Sequence, residues 1–189
     1  MALSVLLGGA RSGKSTLAVR CGAAHERPVC FIATATARDQ EMAARIAQHR
    51  AERPAAWQTL EEPLELEAAL AQADEDALVI VDCLTLWVSN QLAAGASDRD
   101  VAEHSERAAA RAAGRGAPVI AVSNEVGMGI VPVDPLARRF RDVHGRVNAT
   151  WVARAAQASL VVAGAVLALA APDLERLSDP HAPAAGGAR

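Results

Sequence analysis

Short apolar runs alternate along the chain with longer stretches in which apolar residues recur every three or four positions. The apolar runs predict strands at residues 2–7, 29–33, 77–82, 118–123 and 159–163, and a last hairpin strand at 166–170. The longer stretches predict helices at residues 14–24, 39–52, 63–72, 84–93, 99–113 and 134–156. Buried strands that alternate with helices are typical of a parallel sheet covered by helices. We therefore predict an α/β fold.

The length of the chain suits one domain. It has 189 residues, 51% of them hydrophobic, which is enough for a single packed core. The last residues change character, because three prolines precede an AAGGAR ending. We predict one domain over residues 1–171 and a flexible tail over 172–189.

The charge and cysteine content narrow the class of protein. The formal net charge of -3 is too balanced for a surface that binds nucleic acid or anionic lipid. Cys21, Cys30 and Cys83 lack metal-ligand spacing, and the first residues lack the charged segment of a signal peptide. The longest apolar stretch, residues 158–171, is shorter than the roughly 20 residues of a membrane helix. We expect a cytoplasmic protein with no nucleic-acid partner and no membrane insertion.

A phosphate-binding loop follows the first predicted strand. Residues 8–15 read GGARSGKS, which matches the G-x-x-x-x-G-K-S pattern between a strand and a helix. Glycines let the backbone wrap around a phosphate chain, Lys14 reaches the β- and γ-phosphates, and Ser15 ligates Mg²⁺. Of the 19 basic residues only Lys14 is a lysine, and a compact ammonium is what arginine cannot supply there.

Asp82 is the candidate acidic partner of this loop. It ends the apolar run of the third predicted strand, where a P-loop protein holds its magnesium ion. The alternative is an ordinary aspartate that caps the helix beginning near Leu84. The loop upstream favours the magnesium role.

A histidine among arginines is the candidate nucleophile. In the predicted helix 39–52, Arg45 and His49 lie four residues apart on one face. Arg50 and Arg53 are three residues apart, on the neighbouring face, and Pro54 ends the helix. Like charges around His49 favour its neutral, nucleophilic form, and the arginines suit phosphate oxygens. Spacing alone leaves open the alternative of an ordinary surface histidine.

Four segments together resemble the bifunctional adenosylcobinamide kinase/adenosylcobinamide-phosphate guanylyltransferase family of cobalamin biosynthesis. They are GGARSGKS, FIATATARDQEMAARI followed by QHRAERPAAWQTLEEP, VIVDCLTLWVSN, and VSNEVGMGIVP followed by VDPLARRFRDVHGRVNATWVARAA. The resemblance covers residues 3–170. It implies a RecA-like P-loop fold, a homotrimer, and two transferase reactions. The first phosphorylates adenosylcobinamide with GTP or ATP, and the second transfers GMP from GTP to adenosylcobinamide phosphate through a histidine-GMP intermediate.

The same resemblance implies the residues of the site. His49 and Lys14 would be catalytic, and Ser15 and Asp82 would hold Mg²⁺. The nucleotide would contact Gly8, Gly9, Ala10, Arg11, Ser12, Gly13, Lys14, Ser15, Ala33, Thr34, Ala35, Arg50, Ala51, Glu52, Arg53, Glu61 and Asp82.

Glu61 is the candidate for the guanine N1 and N2 donors, because one carboxylate can accept both. A solvent-exposed helix-start glutamate is the alternative for Glu61, and Glu62 is a rival. The segment 124–132 opens with Asn124 and Glu125 at the expected ligand edge of the sheet and predicts a functional loop.

Two other functions remain compatible with the residues alone. One is a P-loop kinase of small molecules that lacks the guanylyltransferase step. The other is a GTP-binding switch, which the absence of an N-K-x-D motif disfavours, since Lys14 is the only lysine.

Overall fold

The computed structural model describes residues 3–37 and 39–171. In chain order the elements are β1 (Leu3–Leu7), α1 (Lys14–Ala23), β2 (Val29–Ala33), α2 (Gln40–Ala51), β3 (Gln58–Glu61), α3 (Leu66–Gln72), β4 (Leu78–Asp82), α4 (Leu84–Ala93), α5 (Asp98–Ala113), β5 (Val119–Val122), α6 (Pro135–Arg154), β6 (Gln157–Val162) and β7 (Ala165–Leu169). All the helices and strands predicted from the hydrophobic pattern are confirmed to within a few residues at each end. The predicted tail, residues 172–189, lies outside the described residues.

The described strands form one sheet in the order β3-β2-β4-β5-β1-β6-β7. Every neighbouring pair is parallel except β6 and β7, which form the predicted antiparallel hairpin. The prediction of a mostly parallel sheet is therefore confirmed. The prediction missed β3, which adds to the edge of the sheet beside β2.

Two apolar cores cover the two faces of the sheet. Leu3, Val5 and Leu7 of β1 belong to the larger core, which is shared with α3, α4, α5 and α6. Leu6 of the same strand belongs to the smaller core, which is shared with Ala18 of α1. This alternation follows from the two-residue period of a strand. Among the helices of the described residues, none is both long enough and apolar enough to cross a membrane.

The carboxyl ends of β2, β4, β5 and β1 lie side by side. Asp82 at the end of β4 pairs with Ala33 of β2 on one side and with Val122 of β5 on the other. Val122 in turn pairs with Leu6 of β1, just before the phosphate-binding loop. Ligands of open parallel sheets bind at this edge, so the fold brings the loop and Asp82 to the same place.

Candidate active site

The loop between β1 and α1 needs glycine at its two ends. Gly8 has a φ of 151°, and a Cβ there would lie 2.2 Å from the Val161 carbonyl oxygen. Gly13 has a φ of 100° in the left-handed region and precedes the first residue of α1. Any other residue at Gly8 would collide with β6, and a side chain at Gly13 would strain the entry to the helix.

The amino terminus of α1 is free of a side-chain cap. Gly13 offers none, and the first turn carries no acidic residue. By contrast, Asp39 caps α2 through the Met42 N–H at 2.7 Å, and Asp134 caps α6 through the Ala137 N–H at 2.8 Å. The free N–H groups of α1 and the helix dipole therefore favour a bound anion.

Lys14 is held inside the loop that it is expected to serve. Only 5% of the residue is exposed. Its Nζ donates to the carbonyl oxygens of Gly8 at 2.9 Å and Gly9 at 2.7 Å, and to Ser12 Oγ at 3.2 Å. Burial lowers the pKa of Lys14 below its usual 10.5, although the charge of nearby Asp82 opposes the shift. The hydrogen bonds of the ammonium to described residues are to carbonyl and hydroxyl oxygens, so an arriving phosphate would add an anionic partner.

Ser15 and Asp82 form an oxygen pair suited to magnesium. Ser15 Oγ donates to Asp82 Oδ1 at 3.3 Å. Burial raises the pKa of Asp82 above its usual 3.8, and the Ser15 hydrogen bond with the charges of Arg53 and Lys14 opposes this. A cation would stabilise the charged form of this partly buried carboxylate. In the residues that the structure describes, no group of three or more His, Cys, Asp or Glu side chains is placed to hold a metal ion. One hydroxyl and one carboxylate fit Mg²⁺, which usually takes one or two protein oxygens and completes its shell with phosphates and water.

His49 and Arg53 face this loop from α2 and the turn after it. Both residues line the same cleft as Lys14 and Asp82. Arg53 Nε donates to the His49 carbonyl oxygen at 2.8 Å, and its guanidinium lies 4.0 Å from the centre of the Phe31 ring. Arg53 Nη1 is buried and has no hydrogen-bond partner among the described residues, and burial lowers the pKa of this arginine. A half-buried guanidinium whose Nη1 donor is unused is suited to a phosphate oxygen.

The cleft has a volume of about 700 Å³ and opens at the carboxyl edge of the sheet. Its sides are the loop after β1, the ends of β2, β4 and β5, and α2. Among the predicted site residues, those that line it are Ala10, Arg11, Ser12, Gly13, Lys14, Ser15, Ala33, Ala35, His49, Glu52, Arg53 and Asp82.

The remaining predicted residues lie beside the cleft. Gly8 and Gly9 contribute the carbonyls that hold Lys14. Thr34 is buried and fastens β2 to β4, because its hydroxyl donates to the Cys83 carbonyl oxygen at 2.7 Å and accepts from the Cys83 N–H at 2.8 Å. Arg50 and Ala51 are exposed.

Glu61 and its rival Glu62 have different surroundings. Glu61 is exposed at the end of β3, and its carboxylate pairs with Arg50 at 3.3 Å. The Glu62 carboxylate accepts from the N–H groups of Leu64 and Glu65, each at 2.9 Å. Glu62 is thus engaged in the turn into α3, and the surroundings favour Glu61 as the carboxylate available to a ligand.

Several residues that line the cleft were missed from the sequence. Phe31 and Val122 were assigned only to strands, Thr16 and Leu86 only to helices, and Cys83 was considered only as a cysteine without metal-ligand spacing. Asn124 was predicted as part of a functional loop, and the structure places it at the cleft. Beyond it the loop is strongly exposed, with 80% of Met128 and 98% of Ile130 accessible.

Comparisons with known proteins agree on one family. The family model of cobinamide kinase / cobinamide phosphate guanyltransferase matches residues 4–169. The bifunctional adenosylcobalamin biosynthesis protein CobP of Pseudomonas aeruginosa is 45% identical over 163 residues, covering 85% of this chain and 92% of that protein. The bifunctional adenosylcobalamin biosynthesis protein CobU of Escherichia coli K12 is 39% identical over 173 residues, covering 85% and 95%.

Solved structures of low sequence identity share the fold. An ATPase from the type III secretion system of pathogenic bacteria superposes with a TM-score of 0.54 at 14% identity, over 84% of this chain and 50% of that chain. The RadB recombinase superposes with a TM-score of 0.50 at 17% identity, over 84% and 73%. These neighbours confirm the P-loop, RecA-like architecture. Together with the matches along the sequence, the cleft identifies the chain as a member of the cobinamide kinase / cobinamide phosphate guanyltransferase family.

Proposed function

We propose that this chain phosphorylates the hydroxyl of adenosylcobinamide with GTP or ATP, and then transfers GMP from GTP to the adenosylcobinamide phosphate. The observation that carries the proposal is the composition of one cleft. It combines a phosphate-binding loop, whose lysine is buried, with a histidine from α2 and an arginine from the turn that follows α2. Phosphoryl transfer needs the first set of groups, and nucleotidyl transfer through a covalent intermediate needs the second.

In the kinase step, the protein positions the triphosphate and neutralises its charge. The N–H groups at the start of α1 and Lys14 bind the β- and γ-phosphates. Ser15 and Asp82 would hold Mg²⁺, which would neutralise charge on the same phosphates. The acceptor hydroxyl forms a bond to the γ-phosphorus, the bond from that phosphorus to the β-phosphate oxygen breaks, and the hydroxyl proton is released.

In the guanylyl step, a ring nitrogen of His49 forms a bond to the α-phosphorus of GTP. The bond from that phosphorus to the pyrophosphate oxygen breaks, and pyrophosphate leaves. An oxygen of adenosylcobinamide phosphate then forms a bond to the same phosphorus, the bond from that phosphorus to the imidazole nitrogen breaks, and His49 returns to its starting form. Arg53, with its unused Nη1 donor beside Phe31, is placed to bind the α-phosphate during both displacements.

Glu61 is the proposed guanine contact. Arg50 and Glu61 form an exposed ion pair, and Arg50 would leave it to bind a phosphate. The freed Glu61 carboxylate would then accept from N1 and N2 of the base. Exposed ion pairs contribute about 0 to 1 kcal/mol, so this exchange costs little. Adenine lacks the same pair of donors, so Glu61 would discriminate in favour of GTP.

Labelling with α-³²P-GTP tests the guanylyl step. We expect the wild-type protein to acquire label that is stable in base and labile in acid, as a phosphoramidate is. His49→Ala should lose the label and keep kinase activity. His104→Ala is the matched control, because His104 contacts Gln91 on α4 at 3.2 Å and does not line the cleft.

The outcomes separate the alternatives. Label that persists in His49→Ala, or that survives acid, excludes His49 as the nucleophile. Transfer of the γ-phosphate with no labelling of the wild type indicates a kinase alone. Slow hydrolysis of GTP with neither transfer indicates a nucleotide-binding switch.

A homotrimer is part of the proposal and rests on the resemblance noted above. Apolar side chains exposed on β7 give it physical support, with Leu167 61% and Val166 53% accessible. Such exposed apolar strands are typical of surfaces that associate. Light scattering during gel filtration would test it, and a monomeric mass at micromolar concentration would exclude the trimer.

A further inference from the structure

Asn124 occupies a position between the phosphate-binding loop and Asp82. Val122, two residues before it, pairs with Leu6 of β1 on one side and with Asp82 of β4 on the other. The pairing with β1 continues past the end of β5, because the Ser123 N–H donates to the Leu6 carbonyl oxygen and the Glu125 N–H donates to that of Gly8, each at 2.9 Å. Asn124 therefore stands at the start of the loop, beside the strand that ends in Asp82.

The extended backbone here sends alternate residues to opposite faces. Val122 and Asn124 line the cleft, whereas Ser123 between them is buried against α6. This is the two-residue period of a strand carried one step into the loop. The Asn124 amide group makes no hydrogen bond to another residue in the part of the chain that the structure describes. Its donors and its acceptor are available to a ligand in the cleft.

Both backbone polar groups of Asn124 are fixed by side chains from different helices. Its N–H donates to Thr85 Oγ1 at 2.8 Å, in the first turn of α4. Its carbonyl oxygen accepts from Asn148 Nδ2 at 2.9 Å, on α6. Two hydrogen bonds from separate elements fix the backbone of Asn124 and therefore the direction in which its side chain leaves the chain.

A buried polar cluster holds these two side chains in turn. Ser123 Oγ donates to Asn148 Oδ1 at 2.6 Å and lies 3.1 Å from His144 Nε2, which is 3.2 Å from Thr85 Oγ1. None of the four residues is more than 8% exposed. Burying polar groups costs free energy that an apolar core would avoid. The cluster therefore contributes less to stability than to the placement of Thr85 and Asn148, which hold the backbone of Asn124.

We propose that Asn124 is a further catalytic residue of the kinase step, whose side-chain N–H donates to the transferred phosphoryl group. This inference rests on the proposed function. Charge spreads over the oxygens of that group in the transition state, and a neutral donor fixed beforehand stabilises it without binding the ground state much more tightly. Asn124 forms no covalent bond and takes no proton. Thr85 and Asn148 are positioning residues that act through Asn124.

Kinase kinetics of Asn124→Ala and Asn124→Asp test the catalytic role. We expect kcat of phosphorylation to fall about 10-fold to 100-fold in Asn124→Ala, with KM for the nucleotide changed by less than about threefold. Asn124→Asp should be slower still, because a carboxylate repels the phosphoryl oxygens. Labelling of His49 by α-³²P-GTP should fall much less than the kinase rate, since its reacting phosphorus is the α one.

The results that overturn the inference are distinct from failure of the proposed function. A kinase rate in Asn124→Ala within about twofold of the wild type, or an equal loss in both reactions, excludes a specific contact with the transferred group. Failure of the proposed function would appear in the wild type itself, as absence of γ-phosphate transfer to adenosylcobinamide.

Substitutions of Thr85 test the positioning role. Thr85→Val removes the acceptor of the Asn124 N–H at nearly constant volume, and Thr85→Ser keeps the hydroxyl. We expect kcat to fall about 3-fold to 10-fold in the first and to be close to wild type in the second. If Thr85 acts through Asn124, the double variant Thr85→Val/Asn124→Ala should be no slower than Asn124→Ala alone. Multiplied losses in the double variant would overturn the positioning role, and melting temperatures of all variants would identify any that are unfolded.

Discussion

The buried imidazole of His144 predicts a fold that weakens in mild acid. His144 lies on α6, is 0% exposed, and stacks on Phe140 with ring centres 5.5 Å apart. Its ring nitrogen Nε2 lies near the hydroxyl oxygens of Ser123 and Thr85, and no carboxylate lies within ion-pairing distance in the described residues. Burial lowers the pKa of His144 from its usual 6.5 to about 4.

The magnitude follows from the linkage between protonation and folding. Below its usual pKa, His144 binds a proton in the unfolded chain but not in the folded one, so stability falls as the pH drops from 6.5 towards 4. One unit of pKa corresponds to about 1.4 kcal/mol, so the loss reaches about 2 kcal/mol at about pH 5 and about 3 kcal/mol below about pH 4. Protonation of Asp98 affects stability only at lower pH, because the Arg139 hydrogen bond lowers the pKa of Asp98 below 3.8.

Urea unfolding at about pH 7.5 and about pH 5 measures this loss. We expect the wild type to lose about 2 kcal/mol more than His144→Gln, which has no proton to gain in this range. His104→Gln is the control, since that ring is only partly buried. Equal acid losses in the wild type and in His144→Gln would refute the reasoning, whatever the stability of the variant at about pH 7.5.

Three further predictions follow from contacts around the cleft. Lys14→Arg should lower both transfer rates about 100-fold, a loss of about 3 kcal/mol, because a planar guanidinium cannot occupy the pocket of the ammonium. Normal turnover with either substrate would contradict this prediction. Gly22→Ala should destabilise the fold by about 1 to 2 kcal/mol in thermal unfolding, because its Cβ would lie 2.7 Å from Trp57 Cη2, whereas Gly145→Ala, with open space, should be neutral or stabilising. Hydrogen exchange across α2 should slow when non-hydrolysable GTP binds, because none of its described side chains is buried; unchanged protection would indicate a preformed site.

Continuous apolar runs made most of the fold predictable. The predicted strand 29–33 coincides with β2, because a buried parallel strand has no polar residue to interrupt its apolar run. The predicted helix 84–93 coincides with α4, because α4 begins directly after such a strand. β3 escaped prediction because Gln58–Glu61 is an edge strand, and its outer residues are exposed. A short polar segment acquires strand structure only by pairing with β2, and no local pattern records that pairing.

The site was predictable where chemistry resides in consecutive residues. The loop around Lys14 and the strand-end Asp82 could be named from sequence, since both motifs are local. The insertion of β5 between their two strands could not, because strand order is a long-range property. This is why the backbone contacts of Asn124 with Thr85 and Asn148 had no signal in the sequence.

The single lysine makes the opening of the phosphate-binding loop measurable by proteolysis. A protease that cuts only after lysine has one cleavage site in the whole chain, and that site is Lys14. Because Lys14 is bonded within its own loop and shielded from solvent, cleavage requires the loop to open. The rate of a single cut, read on a gel without any dye or tag, would thus measure how often the empty loop unfolds and how strongly each nucleotide closes it.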